Sequence, residues 1–204
     1  MNNANKKLSR IQLKNRKKIL DAALDVFSQH GYRGATLDLI ADAAGLSKPN
    51  MLYYFDSKEA IHVELLNALM SEWLAPLEKL NNDGDPLEEL LDYIDRKMEM
   101  SRKYPRESRL FANEIIQGAP RMGPHLVTGL KPLFDEKCGL IQSWMDAGKI
   151  APTDPGQLIF SIWAVTQHYA DFDAQVKVLV GDDGAAWKKA CAHVHLMFQK
   201  LLTT

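Results

Sequence analysis

Apolar residues along this chain recur at intervals of three and four, the spacing of one face of an α-helix. Ile19, Ala22, Ala23, Val26 and Phe27 share such a face between about residues 14 and 30. Gly31 stands where the left-handed residue that closes a helix belongs. Thr36 sits at an N-cap position ahead of Leu37, Ile40 and Ala41, and Gly45 ends that short segment. Ser47 opens a third helix with Pro49 in its first turn, where a missing N–H removes no hydrogen bond. Asp56 or Ser57 caps a longer helix reaching about Leu80, before the turn cluster at residues 81–86. Further helices are predicted near 86–103, 105–117, 124–147, 154–180 and 185–202, punctuated by Pro105, Gly118, Gly148, Pro155 and Gly181. No run of β-branched residues alternates with polar ones. The pattern therefore predicts an all-α chain of nine helices, three short ones followed by longer ones, with no internal repeat.

Charge adds a polarity that the overall balance hides. The net charge is −1, yet residues 1–60 hold ten Lys/Arg against six acids, and seven cations precede the first acid, Asp21. A basic start on a near-neutral chain fits either contact with a polyanion or a solvated tail. Residues 1–13 are expected to form a flexible basic arm. The first twenty residues are polar and no apolar run approaches a membrane span, so a cytoplasmic protein without membrane association is expected. Cys138 and Cys191 have neither disulfide-framework nor metal-ligand spacing. His193 and His195 are two apart, which on a helix points them to different sides, so no metal site is expected. His168 and Asp171 have no nucleophile in a recognisable motif nearby, and no catalytic residues are assigned.

Residues 36–55, TLDLIADAAGLSKPNMLYYF, read as two short helices about a tight turn. Ala41 and Gly45 permit close helix approach and a positive φ in the turn. Leu37, Ile40, Leu46 and Leu52 are expected to form its small core. Lys48, Asn50 and Tyr53 fall on the exposed side of the second helix, which in such motifs enters the major groove of duplex DNA. Each has a plain alternative: a surface lysine, a helix-start residue, a core aromatic, and for Phe55 the core is preferred. The run from Gly45 to Phe55, followed by Ser57-Lys58-Glu59 and preceded by Ala23, Phe27, Gly31-Tyr32 and Thr36, resembles the TetR family of bacterial regulators. The resemblance implies a DNA-binding domain over 14–60 and a helical ligand-binding and dimerisation domain over 61–204. It places contacts to operator DNA on Thr36, Ser47, Lys48, Pro49, Asn50, Tyr53 and Lys58. Leu52 stands where many members carry Tyr, so that residue's role does not transfer.

The second half carries its own chemistry. Trp163 and Gln167 are four apart and share a helix face. An indole stacks on a flat heteroaromatic ring, and a Gln amide sets a donor beside an acceptor, matching the N–H and C=O edge of a cyclic imide. Trp73 is a candidate second aromatic wall, with Arg109 and Glu114 as further polar contacts. Trp163 on an apolar face is equally suited to a plain core, and Gln167 to capping backbone. Trp73 to Leu77, Ser108 to Phe111, Asp135 to Lys137 and Ile162 to Phe172 resemble regulators of pyrimidine utilisation within the same family. That resemblance implies uracil or thymine as the effector and no bound cofactor. An effector of another class, such as a lipophilic drug, and a small-molecule carrier or enzyme are the competing readings. Leu158, Ile162, Val165 and Tyr169 on one helix, with Trp187, Ala190, Val194, Phe198 and Leu201 on the last, form stripes that suit either a homodimer interface or internal packing.

Overall fold

The computed structural model describes residues 9–204. Residues 1–8, most of the expected basic arm, lie outside the described residues. The chain divides into two units, one ending at Ala68 and one beginning at Leu69. Helix α1 spans Arg10–Gly34, so residues 10–13, expected in the flexible arm, are helical. Ser9 and Gln12 form a reciprocal capping box that starts the helix four residues early. Gly31 takes φ 64° inside it, and the chain turns there. Helix α2 is Leu37–Ala43, α3 is Lys48–Leu52 and α4 is Lys58–Glu78. Ile19, Ala23, Phe27, Ile40, Met51, Phe55, Ile61 and Leu66 are all buried in the first unit. Here one expectation fails: Leu52 is 37% exposed and Met51 is fully buried in its place. In a helix of five residues a one-residue rotation is decided by neighbouring helices, and nothing local fixes it.

The second unit continues with α5 Pro86–Lys103, α6 Pro105–Ile116 and α7 Gly123–His125. A π-helical stretch at Leu126–Leu130 leads into α8, Lys131–Asp146. Helices α9 Pro155–Asp171, α10 Asp173–Val180 and α11 Gly184–Leu202 complete it. The π turn coincides with Thr128, whose hydroxyl donates back to the Pro124 carbonyl at 2.9 Å, and with Gly129, which favours no helix. Leu90, Leu91, Ile94 and Met98 of α5 meet Ile141 and Trp144 of α8, Leu158, Ile159 and Ile162 of α9, and Val194, Phe198 and Leu202 of α11 in one core. Among the described residues the fold is all-helical. The count is one higher than nine, taking residues 123–146 as one continuous segment, because the helix expected over 154–180 breaks at Phe172 (φ −112°, ψ 29°). Side chains of α6 occupy that break. Arg109 donates to the Ala170 carbonyl and pairs with Asp173, while Ser108 donates to Asp171.

Burial also redraws the interface stripes. Leu158, Ile162, Val194 and Phe198 are no more than 2% exposed and belong to the core of one chain. They are removed from the expected interface. Tyr169 and Trp187 meet edge to face at 5.9 Å, and with Val165 and Ala190 they pack on that core half-buried. Of the nine residues only Leu201 is openly exposed, beside Leu196 and Met197 on α11, while Phe160 is exposed on α9. The helical period correctly identified apolar faces. The direction each face takes is set by which helix is sandwiched, and α5 claims these stripes from inside.

Candidate DNA interface and effector pocket

In the first unit the turn between α2 and α3 is built from short-range bonds. Thr36 caps α2 by accepting from the Leu39 N–H, and Ser47 caps α3 by accepting from the Asn50 N–H. Gly45 takes φ 59°, where a side chain would be strained. The turn is closed by N–H donation from Gly45 to the Asp42 carbonyl and from Leu46 to the Ala41 carbonyl. Thr36, Ser47, Lys48, Pro49, Asn50 and Tyr53 are all exposed. Lys48 forms a 3.0 Å pair with Asp38 of α2. Tyr53 is 71% exposed, accepts from Gln12 of α1 and lies edge-on to Tyr54. Behind them, Arg16 of α1 donates to the Tyr54 carbonyl, pairs with Glu64 and covers the Phe55 ring at 4.2 Å. The exposed edge is thereby held on a satisfied base.

Lys58 differs from the other expected contacts. Its ammonium donates to the carbonyls of Tyr32 and Ala35, each at 2.7 Å, and sits 4.3 Å from the Tyr32 ring centroid. These carbonyls lie where α1 ends and α2 has not begun, so helix hydrogen bonds leave them open. Lys58 is occupied as an internal clamp in this arrangement, a role that sequence spacing gives no means of foreseeing.

In the second unit Trp73, Trp163 and Gln167 line one cavity of about 70 Å³, with Met70, Leu74, Lys97, Phe111 and Leu130. The two tryptophans are 90 residues apart in sequence, brought together by α4 and α9. The indole N–H of Trp163 donates to the Tyr93 hydroxyl at 2.7 Å. Burial pushes the Tyr93 phenol well above its ordinary range, with the Trp163 hydrogen bond opposing. Lys97, one turn further along α5, is only 2% exposed, and its ammonium lies 4.1 Å from the Trp73 ring centroid. Burial pulls Lys97 down to about 7, and Asp171 pulls it partly back. Burial likewise raises the Asp171 carboxyl, against the Ser108 hydrogen bond and the Arg109 charge.

Two expected contacts lie elsewhere. Arg109 binds the end of α9 through Ala170 and Asp173. Glu114 is 3% exposed and accepts from the backbone N–H groups of Arg121 and Met122, besides pairing with the Arg121 side chain. It staples the connection after α6, and neither residue is part of the cavity wall. Lys97 was missed because α5 has a clear apolar stripe, into which a lysine at 97 falls as an apparent interruption. A cation on the buried face of an amphipathic helix is the signal that was available.

The comparisons fit this geometry. Residues 19–65 match the description "Bacterial regulatory proteins, tetR family", and residues 66–203 match "YcdC-like protein, C-terminal region". The chain belongs to the TetR family of bacterial transcriptional regulators and is a DNA-binding regulator, not an enzyme. It is 50% identical over 175 residues to the HTH-type transcriptional regulator RutR of Escherichia coli strain K12, covering 86% of this chain and 82% of that protein. The fold also matches the ketosteroid regulator KstR2 of Mycobacterium tuberculosis, with a TM-score of 0.70 at 18% identity over 98% of each chain. AibR, solved in complex with isovaleryl coenzyme A and operator DNA, matches with a TM-score of 0.72 at 18% identity over 90% of this chain and 97% of that one. Among the described residues no helix is long and apolar enough to cross a membrane.

Proposed function

We propose that this regulator is a cytoplasmic homodimer that represses pyrimidine-utilisation genes and is released from its operator by uracil or thymine. The observation that carries this reading is the cavity formed by Trp73, Trp163 and Gln167. Two indoles and one amide provide stacking surfaces and a donor–acceptor pair, the complement of a flat cyclic imide. The volume supports a small ring over a lipophilic drug. At about 70 Å³ the cavity is roughly half of the ~150 Å³ that admits benzene in an engineered core, so even one ring enters with side-chain adjustment.

DNA is read by α3, with Lys48, Asn50 and Tyr53 against the groove and Thr36 and Ser47 beside phosphate. Two copies are required, since one such module buries too little surface for operator-level specificity. The exposed stripe of Leu196, Met197 and Leu201 on α11, with Phe160 on α9, is the surface that joins them. Helix α4 begins at Lys58 and ends at Glu78, so a single helix carries both a clamp of the DNA-binding unit and the Trp73 wall of the cavity. Effector occupancy acts through that helix, and it weakens DNA binding only by the difference in effector affinity between the free and DNA-bound states.

The test begins by selecting duplexes from a random pool with the purified protein. Anisotropy titrations with the selected site then follow, with and without uracil or thymine. A reading in which saturating pyrimidine leaves operator affinity unchanged would end the proposal.

A further inference from the structure

The least comfortable group in the second unit is Lys97. Its side chain is 2% exposed, on the wall of the cavity rather than at the surface. Its ammonium stands over the Trp73 ring at the cavity wall. What it has is the Trp73 ring face and the distant charge of Asp171, a carboxylate already taken by Ser108. A buried ammonium has three N–H donors, and leaving them unmet is strongly unfavourable. A methionine would fill the same space without that penalty. A lysine at a cavity wall is accounted for when the cavity's occupant supplies the acceptor.

Resting on the reading of this cavity as the effector site, we propose that Lys97 sets the effector class: the cavity admits a small flat ring bearing an anionic or strongly accepting oxygen. Gln167 supplies one donor and one acceptor, whereas Lys97 supplies donors only, so the ligand must turn an acceptor edge toward α5. Cations are refused, because like charge in a water-poor cavity is repelled with little screening. Plain hydrocarbons are refused because they leave the ammonium unmet. Trp73 then has two roles, as a wall and as the ring face that holds the ammonium in the absence of ligand. Lowering of the lysine's proton affinity by burial agrees with this. An acceptor placed against it restores the charged form, so binding draws in a proton near neutral pH.

The test uses the full-length protein and its Lys97→Met and Lys97→Gln variants. Uracil, thymine, benzoate, indole and benzylammonium are the probes, read by tryptophan fluorescence and calorimetry. Wild type should bind uracil, thymine or benzoate and neither indole nor benzylammonium. Lys97→Met should weaken that binding by about 10- to 100-fold, the loss of one charge-assisted hydrogen bond. It should also gain indole binding, keep its circular dichroism, and melt no lower than wild type. Lys97→Gln, a neutral donor, should fall between. Benzoate binding lost in Lys97→Met, with uracil and thymine never binding, would reject the pyrimidine effector while upholding the role of Lys97. Unchanged uracil and benzoate affinity in folded Lys97→Met, or no binding of either by wild type, overturns the proposal. Failure of both variants to fold would make Lys97 a structural residue and also overturn it.

Discussion

The hydrogen bond from the Trp163 indole to the Tyr93 hydroxyl crosses the core of the second unit, and breaking it in steps separates two roles of Trp163. Tyr93 is 1% exposed and the bond measures 2.7 Å. Trp163→Phe keeps an aromatic wall but strips the Tyr93 oxygen of its donor in a place water does not reach. An unsatisfied buried group costs about 1–3 kcal/mol, and the smaller ring adds roughly 1 kcal/mol of lost packing, so about 2–4 kcal/mol is expected. Tyr93→Phe removes the acceptor and should cost about 1–2 kcal/mol, since the half-buried indole retains some access to water. In the double variant no orphan remains, and the cost should fall short of the sum by about 1–2 kcal/mol. Urea unfolding followed by circular dichroism measures all four proteins. Because the indole N–H is already committed to Tyr93, Trp163 can offer an effector only its ring face. Trp163→Phe should therefore weaken uracil by no more than about 10-fold, the scale of one stacking contact. Strict additivity of the two stability losses would refute the coupling, and a loss of uracil affinity far above tenfold would refute the stacking-only role.

Other consequences concern different surfaces. Lys48 is exposed at the α3 edge and Lys58 is spent on two carbonyls. Lys48→Ala should flatten the log K against log[salt] slope of operator binding by about 0.9. Lys58→Met should leave that slope alone while lowering the stability of the first unit by about 1.5–3 kcal/mol, as charged hydrogen bonds are lost. In light scattering, Leu201→Glu should convert dimers to monomers, whereas Val194→Ala should lower stability by about 1 kcal/mol or more without dissociating them. A dimer that tolerates Leu201→Glu would place the interface elsewhere. The pH response follows from Lys97: burial lowers its folded value to about 7 from 10.5, so between these values the unfolded chain binds the extra proton. Its contribution to stability is least favourable below pH 7 and improves as pH rises. Wild type minus Lys97→Met, measured by denaturant unfolding from pH 6 to 9, should show stability rising with pH; a flat difference would contradict the buried, charge-averse lysine.

The helical class of the chain, its punctuation and the helix-turn-helix were legible because they rest on local chemistry. Ser47, Thr36 and Gly45 act within three or four residues, through caps and a positive φ, and such effects are written in adjacent letters. The same holds for the pairing of Trp163 with Gln167 on one helix face. Tertiary structure alone decided which faces turned inward and which groups met. It sent Leu158, Ile162, Val194 and Phe198 into the core of one chain, broke the eighth predicted span at Phe172 under the grip of Arg109, and took Lys58 and Glu114 for internal clamps. It also set Lys97 beside Trp73, 24 positions away in sequence, in a cavity shared with an indole from α9. Periodicity reports that a helix has an apolar side. What lies against that side depends on contacts between distant segments, and burial and charge take their values only after those contacts form.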